Sequence, residues 1–184
     1  MSDTLLETKQ ILSRTPQVLK TLLSGLDESL LNSRKSENGF TPADVVSHLL
    51  ANDEVNFINR LNYFIEGDLT KPFPRLDREY TERGFDKNLS LEKRLELFES
   101  LRKKDLKILE KNVSASDLDK KSVKPGLGGV TLRNLLSYWA THDLTHLYQV
   151  LEILGLRYKE TAGPWVDYIK ILNIPDGLAK TGFD

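Results

Sequence analysis

Four stretches of this chain space their leucines, isoleucines and valines three or four residues apart, and no stretch of useful length alternates apolar with polar residues. That spacing is the mark of helices burying one face. The first stretch runs from about Asp3 to Leu31, with Leu5, Ile11, Leu12, Val18, Leu19, Leu22, Leu23 and Leu26 as its stripe and Pro16 as a kink or restart. The second runs from Thr41 to Glu66 and opens with a cap, a proline and Asp44 three residues on. The third opens at Ser90 and continues through Leu91, Leu95, Phe98, Leu101, Leu106 and Leu109. The fourth runs from Thr131 to Leu154. Two long aperiodic segments, Gly67 to Asn88 and Ser114 to Val130, separate the later helices and carry Pro72, Pro74, Gly84 and Pro125-Gly-Leu-Gly-Gly129. Connections that long within one domain are often functional. The expectation is an all-α, single-domain four-helix bundle over the 184 residues, with long crossovers and a short C-terminal helix around Trp165 to Leu172.

Composition narrows the function classes. Lys and Arg number 26 against 27 Asp and Glu, a formal net charge of −1, so no basic surface argues for nucleic acid. No run approaches the apolar length of a membrane span, and the start lacks the basic and apolar regions of a secretory signal, so a soluble, cytoplasmic protein is expected. With no cysteine, thiolate metal sites and a protein thiol nucleophile are both excluded. Thiol chemistry would need a thiol brought in by a substrate.

The chain has three histidines, and His142 and His146 stand four apart in the fourth helix. Side chains at i and i+4 lie one above the other, so two imidazoles there can share one metal ion. Leu135, Trp139, His142 and His146 follow one stripe, which directs both rings inward. His48, in the second helix, can supply a third ring, leaving open positions as in a catalytic site. The pair alone is also the pattern of two core-satisfied histidines, and it lacks the glutamate of the HExxH signature. From His48 the series Asn52, Asn56 and Asn59 forms a polar track that faces either solvent or a pocket. Gln149 shares a face with His142, and Tyr138 precedes it by four; each is either packing or a pocket contact. Glu96, Glu99, Arg102, Lys103, Asp105 and Lys107 read as the solvated face of the third helix. Trp139 and Trp165 read as core, and Arg75 as a surface residue or an anion contact.

Several segments together resemble the DinB/YfiT-like family of metalloenzymes. They are Thr15-Pro-Gln-Val-Leu-Lys-Thr-Leu-Leu-Ser-Gly-Leu26, Phe40-Thr-Pro-Ala-Asp-Val-Val-Ser-His48-Leu49, Lys71-Pro-Phe-Pro-Arg-Leu-Asp77, and Gly126 to Leu136 leading into Trp139-Ala-Thr-His142-Asp-Leu-Thr-His146-Leu-Tyr-Gln149. The resemblance implies up-down-down-up topology and a divalent metal, zinc or nickel, held by His48, His142 and His146. It implies a small-molecule substrate and, as one activity, transfer to a low-molecular-weight thiol cosubstrate whose pKa the metal lowers.

A hydrolase using metal-activated water is the alternative enzyme reading. It needs a base, and Asp143 and Asp53 both sit on the wrong helix faces, which leaves a loop acid such as Asp77. A metal- or ligand-binding module without turnover is the third reading. A homodimer is expected from the way bundles pair.

Overall fold

The structure, a computed structural model, describes residues 3–71, 73–83, 88–124 and 126–173, with no side-chain description at 82 and 83. Pro72, Gly84 and Pro125, read above as loop breakers, lie outside those residues. Helix α1 spans Thr4–Leu23 and is capped by Asp3, whose carboxylate accepts from the Leu6 amide. A single helical turn, Glu28–Leu31, follows. Helix α2, Pro42–Asn52, continues through a wide π turn, Asp53–Phe57, into α3, Ile58–Glu66, as one rod. The short α4, Arg78–Arg83, interrupts the crossover. Helix α5 spans Leu91–Asn112 and α6 spans Leu132–Leu156.

Contacts along the helices give their directions. Thr8 and Thr4 of α1 meet Leu136 and Arg133 of α6, so these two run parallel. Lys20 meets Glu99 while Leu12 meets Arg102, so α1 and α5 are antiparallel. Ser47 meets Arg94 and Asp53 meets Arg102, making the rod and α5 parallel. His48 lies against His146 and Phe57 against Trp139, so the rod opposes α6. This is the up-down-down-up order, and two parallel neighbours in sequence require the long crossover between them.

The local signals explain the boundaries. Thr41 and Asp44 form a reciprocal capping box: the Asp44 amide donates to Thr41 Oγ1 and the Thr41 amide to Asp44 Oδ2. Thr131 and Asn134 form a second one at the start of α6. Pro16, expected to kink or restart the first helix, sits buried inside an uninterrupted α1. The helix nevertheless ends at Leu23 rather than Leu31, where Gly25 takes a left-handed φ of 76°.

Other readings change more. The second loop holds an antiparallel hairpin, β1 Lys121–Lys124 and β2 Gly128–Thr131, turned by Gly126 and Gly128 at φ of 80° and 90°. Four-residue strands are too short to show alternation. The expected C-terminal helix is instead two 3-10 segments, Gly163–Tyr168 and Lys170–Leu172. Trp165, expected in the core, is 68% exposed. Val18, placed on the apolar stripe of the first helix, is also exposed.

Two apolar clusters fill the bundle. One gathers Leu12, Phe57, Leu61, Leu109, Leu136 and Trp139, with the Phe57 and Trp139 rings stacked 5.1 Å apart. The other gathers Leu19, Val45, Leu49, Leu95, Phe98 and Val150. Between them along the helices lies a polar layer centred on Arg102.

That layer corrects the expected solvated face of α5, because Arg102 and Asp105 are each only 1% exposed. Arg102 Nε and Nη2 donate to Asp53 at 2.6 and 3.0 Å, and Nη1 and Nη2 donate to Asp143 at 2.5 and 3.1 Å. Trp139 Nε1 donates to Asp53 Oδ1 at 2.9 Å. Burial alone would lower the Arg102 pKa, but the Asp143 and Asp53 carboxylates more than offset it and hold the guanidinium charged. Periodicity misplaced Arg102 because its side chain crosses the bundle interior, reaching Leu12 of α1, Asp53 of the rod and Asp143 of α6.

Candidate metal centre

The site is assembled by α6 and α2. His142 and His146 are one turn apart, and His48 comes from the antiparallel rod, one turn before the π segment. The three ring centroids are separated by 4.5 Å (His48–His146), 4.5 Å (His142–His146) and 5.4 Å (His48–His142). One nitrogen from each ring lies within 4.8 Å of the others.

Hydrogen bonds fix two of the rings. His48 Nδ1 donates to the Thr81 carbonyl at 3.0 Å, because a carbonyl can only accept. His146 Nδ1 donates to Gln149 Oε1 at 2.8 Å. Each ring thereby keeps its proton on Nδ1 and its lone pair on Nε2, as a metal ligand held by an outer hydrogen bond does. His142 brings an orphan: its Nδ1 is buried with no hydrogen-bond partner. A buried polar atom left unpaired is costly.

The protonation states suit a cation. Burial pushes His48 down to about 4, helped by neighbouring His146 and opposed by the Thr81 bond. Burial, then His146 and His48, holds His142 well below the ordinary histidine range. His146 is also lowered by burial, against the pull of Gln149 and Asp143. Three neutral imidazoles facing one point are the donor set of a divalent metal of zinc type. Their chemistry fits such an ion.

Asn52 stands closest to the triad. Its Nδ2 donates to the His48 carbonyl at 2.9 Å and lies 3.1 Å from His48 Nε2, whose lone pair it covers. Asn56, 1% exposed, donates to Asn52 Oδ1 at 2.8 Å and so orients it. Asn59 leaves the polar track: it is exposed and bonds the Val55 carbonyl. The π turn between them rotates later residues by an extra position.

The remaining candidates are placed as follows. Gln149 serves His146 rather than pointing from His142. Tyr138 meets His142 edge-on, with centroids 5.8 Å apart. Asp143 and Asp53 point away from the triad to Arg102, as their helix positions required. Asp77 is exposed and caps α4 by accepting from the Tyr80 amide. Arg75 is exposed.

Sequence reasoning missed two groups. One is the Thr81 carbonyl, which no side-chain pattern can announce. The other is Arg60, 5% exposed, which lines a cleft of about 200 Å³ next to Tyr138.

Comparison with known proteins bears on the family and the fold. The chain is 30% identical over 142 residues to a Geobacillus kaustophilus protein named "Putative metal-dependent hydrolase GK0616", covering 75% of this chain and 77% of that one. The solved structure of YfiT from Bacillus subtilis, described as an unusual four-helix bundle, matches with a TM-score of 0.68 at 19% identity, over 85% of this chain and 89% of that one. The sequence pattern of the DinB superfamily matches residues 11–150, which take in all three histidines and every helix that positions them, and the chain belongs to that superfamily.

Proposed function

We propose that His48, His142 and His146 hold a divalent metal, zinc or nickel, and that the chain is a metal-dependent enzyme which transfers a low-molecular-weight thiol onto a small electrophilic substrate. The observation that carries the reading is the convergence of three neutral ring nitrogens within 4.8 Å, two of them oriented by Thr81 and Gln149. A divalent cation there would supply Lewis acidity, lowering the pKa of a thiol or water drawn into the site so that a nucleophile exists near neutral pH.

The protein's own residues do the rest. Thr81 and Gln149 keep the outer imidazole protons in place, so the rings act as electron-pair donors and not as acids. Asp53 and Asp143 are committed to Arg102 and take no proton from a substrate. A thiol is acidic enough to ionise under metal influence without a strong protein base, and this supports transfer over hydrolysis. A chain with no cysteine also presents no thiol of its own to compete for the ion.

Hydrolysis is the second reading, favoured by the names given to the Geobacillus kaustophilus relative and to YfiT, whose structure is described as that of a probable metal-dependent hydrolase. One paired assay separates the two. Zinc- and nickel-loaded protein is given monochlorobimane with each of several low-molecular-weight thiols, and separately a panel of nitrophenyl esters. Metal-dependent conjugation with at least one thiol, and no ester cleavage, is the expected result. Metal-dependent ester cleavage without any thiol would replace transfer with hydrolysis, and inactivity in both would leave a binding module.

A further inference from the structure

Beside the triad lies a cleft of about 200 Å³ whose walls come from four separate elements: Arg60 of α3, Phe73 of the crossover, Lys124 and Leu127 of the hairpin, and Leu135 and Tyr138 of α6. The crossover and hairpin are tied together there, because the Phe73 amide donates to the Val123 carbonyl at 3.0 Å. Most of the wall is apolar. Its exception is Arg60, 5% exposed, whose guanidinium lies 5.2 Å from the Phe73 ring centroid. Among the described residues Arg60 makes no hydrogen bond or ion pair.

That is an unusual condition for arginine. A guanidinium does not deprotonate in proteins, so it stays charged wherever it is placed. A guanidinium set in a mostly apolar cleft with no counter-ion is poorly compensated, and an anion entering the cleft would compensate it. Arg102 shows the contrast within this molecule: more deeply buried, at 1% exposed against 5%, it is met by two carboxylates and a carbonyl. Arg60 has a face of Phe73 and an opening. Lys124 adds a second cation at the same cleft.

We propose that this cleft is a subsite for an organic carboxylate, with Arg60 receiving the carboxylate and Phe73, Leu127 and Leu135 receiving an apolar body. Planar guanidinium matches carboxylate in a two-point fork, which fixes direction as well as position. Tyr138 is the shared wall: it lines the cleft, and its ring lies 5.8 Å from that of His142. A carboxylate anchored at Arg60 would therefore lie one aromatic ring away from the imidazole of His142. As a statement about substrate, the assignment rests on the triad being the reacting centre; as a statement about binding, it stands by itself.

The test uses hexanoate and its neutral isostere hexanamide, titrated into zinc-loaded protein by calorimetry and by amide and side-chain NMR shifts. Wild type should bind hexanoate about tenfold or more tightly than hexanamide, the worth of a charged hydrogen-bonded pair. Hexanoate should shift the Arg60 Nε–H signal. Arg60→Gln should erase the preference while leaving zinc content intact, and Arg60→Lys should keep part of it. His142→Ala, which removes zinc, should retain the preference. Equal binding of the two compounds to wild type overturns the subsite. So does a preference that disappears with His142→Ala and survives Arg60→Gln, since the carboxylate then sits on the metal and only the catalytic reading stands. Should Arg60→Gln fail to fold, the wild-type ratio and the Arg60 Nε–H shift decide. The same preference in wild-type protein that fails to take up zinc or nickel would sustain the subsite and sink the proposed function.

Discussion

Arg102 donates through Nη1 at 2.9 Å to the carbonyl of Leu12, four residues before Pro16 on α1. That carbonyl is the one Pro16, lacking an amide hydrogen, leaves without its helical partner. The proline survives inside a straight run of helix because a side chain from α5 takes over its bond. The same guanidinium holds Asp53 at the π turn and Asp143 between the two histidines of α6. One residue thus ties α1, the rod and α6 together at the level of the site.

Arg102→Ala should therefore destabilise the fold by about 3–5 kcal/mol, since it strands two buried carboxylates and a carbonyl. Arg102→Lys should recover only part of the loss, because an ammonium cannot reproduce the fork. Urea unfolding of the three proteins checks the order, and a loss under about 1 kcal/mol for Arg102→Ala would contradict the assigned role.

Each of His48→Ala, His142→Ala and His146→Ala should abolish stoichiometric metal binding with helical content preserved. Elemental analysis and far-ultraviolet circular dichroism read the two properties. In wild type, added zinc should raise Tm in proportion to the logarithm of its concentration above saturation. The variants should show no such rise, and full zinc occupancy in any one of them removes that histidine from the ligand set.

Gln149→Ala releases the His146 ring without touching a ligand atom. Metal affinity should fall ten- to a hundredfold, the usual size of an outer-layer effect. Competition with a zinc chelator measures it, and an unchanged affinity would show that helix packing alone orients His146.

Asp105 carries the clearest pH dependence outside the triad. Both carboxylate oxygens are buried without a partner, and burial, with Asp53 adding to it against Arg102 and Lys104, pushes its pKa up from the ordinary 3.8 to about 7. Because the folded value lies above the unfolded one, its contribution is fully present below pH of about 4 and is lost as pH rises through about 7. Asp105→Asn removes that slope. The variant should gain on wild type between pH 5 and pH 8 in urea unfolding, and an identical difference at both values would show Asp105 ionised throughout.

The bundle was legible because capping and periodicity agree: Thr41 with Asp44, Ser90 before α5 and Thr131 before α6 all stand where their spacing puts them. The pairing of His142 with His146 was legible because i and i+4 geometry survives on a regular helix, whereas the approach of His48 depends on how the rod packs against α6. What was hidden depends on tertiary partners. Arg102 and Asp105 look like surface charges until the bundle buries them to 1% exposure. Asn59 was drawn off the polar track by a π turn that no local residue pattern announces, and the hairpin strands are shorter than a period-two signal needs. Arg60 became visible only once Phe73 and the hairpin were folded against it.

The amide of Asn52 resting on His48 Nε2 would also set a threshold for any ion entering the proposed centre. An arriving ion must displace an N–H donor already seated on the lone pair, so capture is an exchange between two bonds. Hard cations such as magnesium and calcium, which favour oxygen ligands, have little to offer in that exchange. Imidazole-seeking ions prevail in it. With an ion held as proposed, a single carboxamide would make the three convergent rings select by bond strength before any question of fit arises.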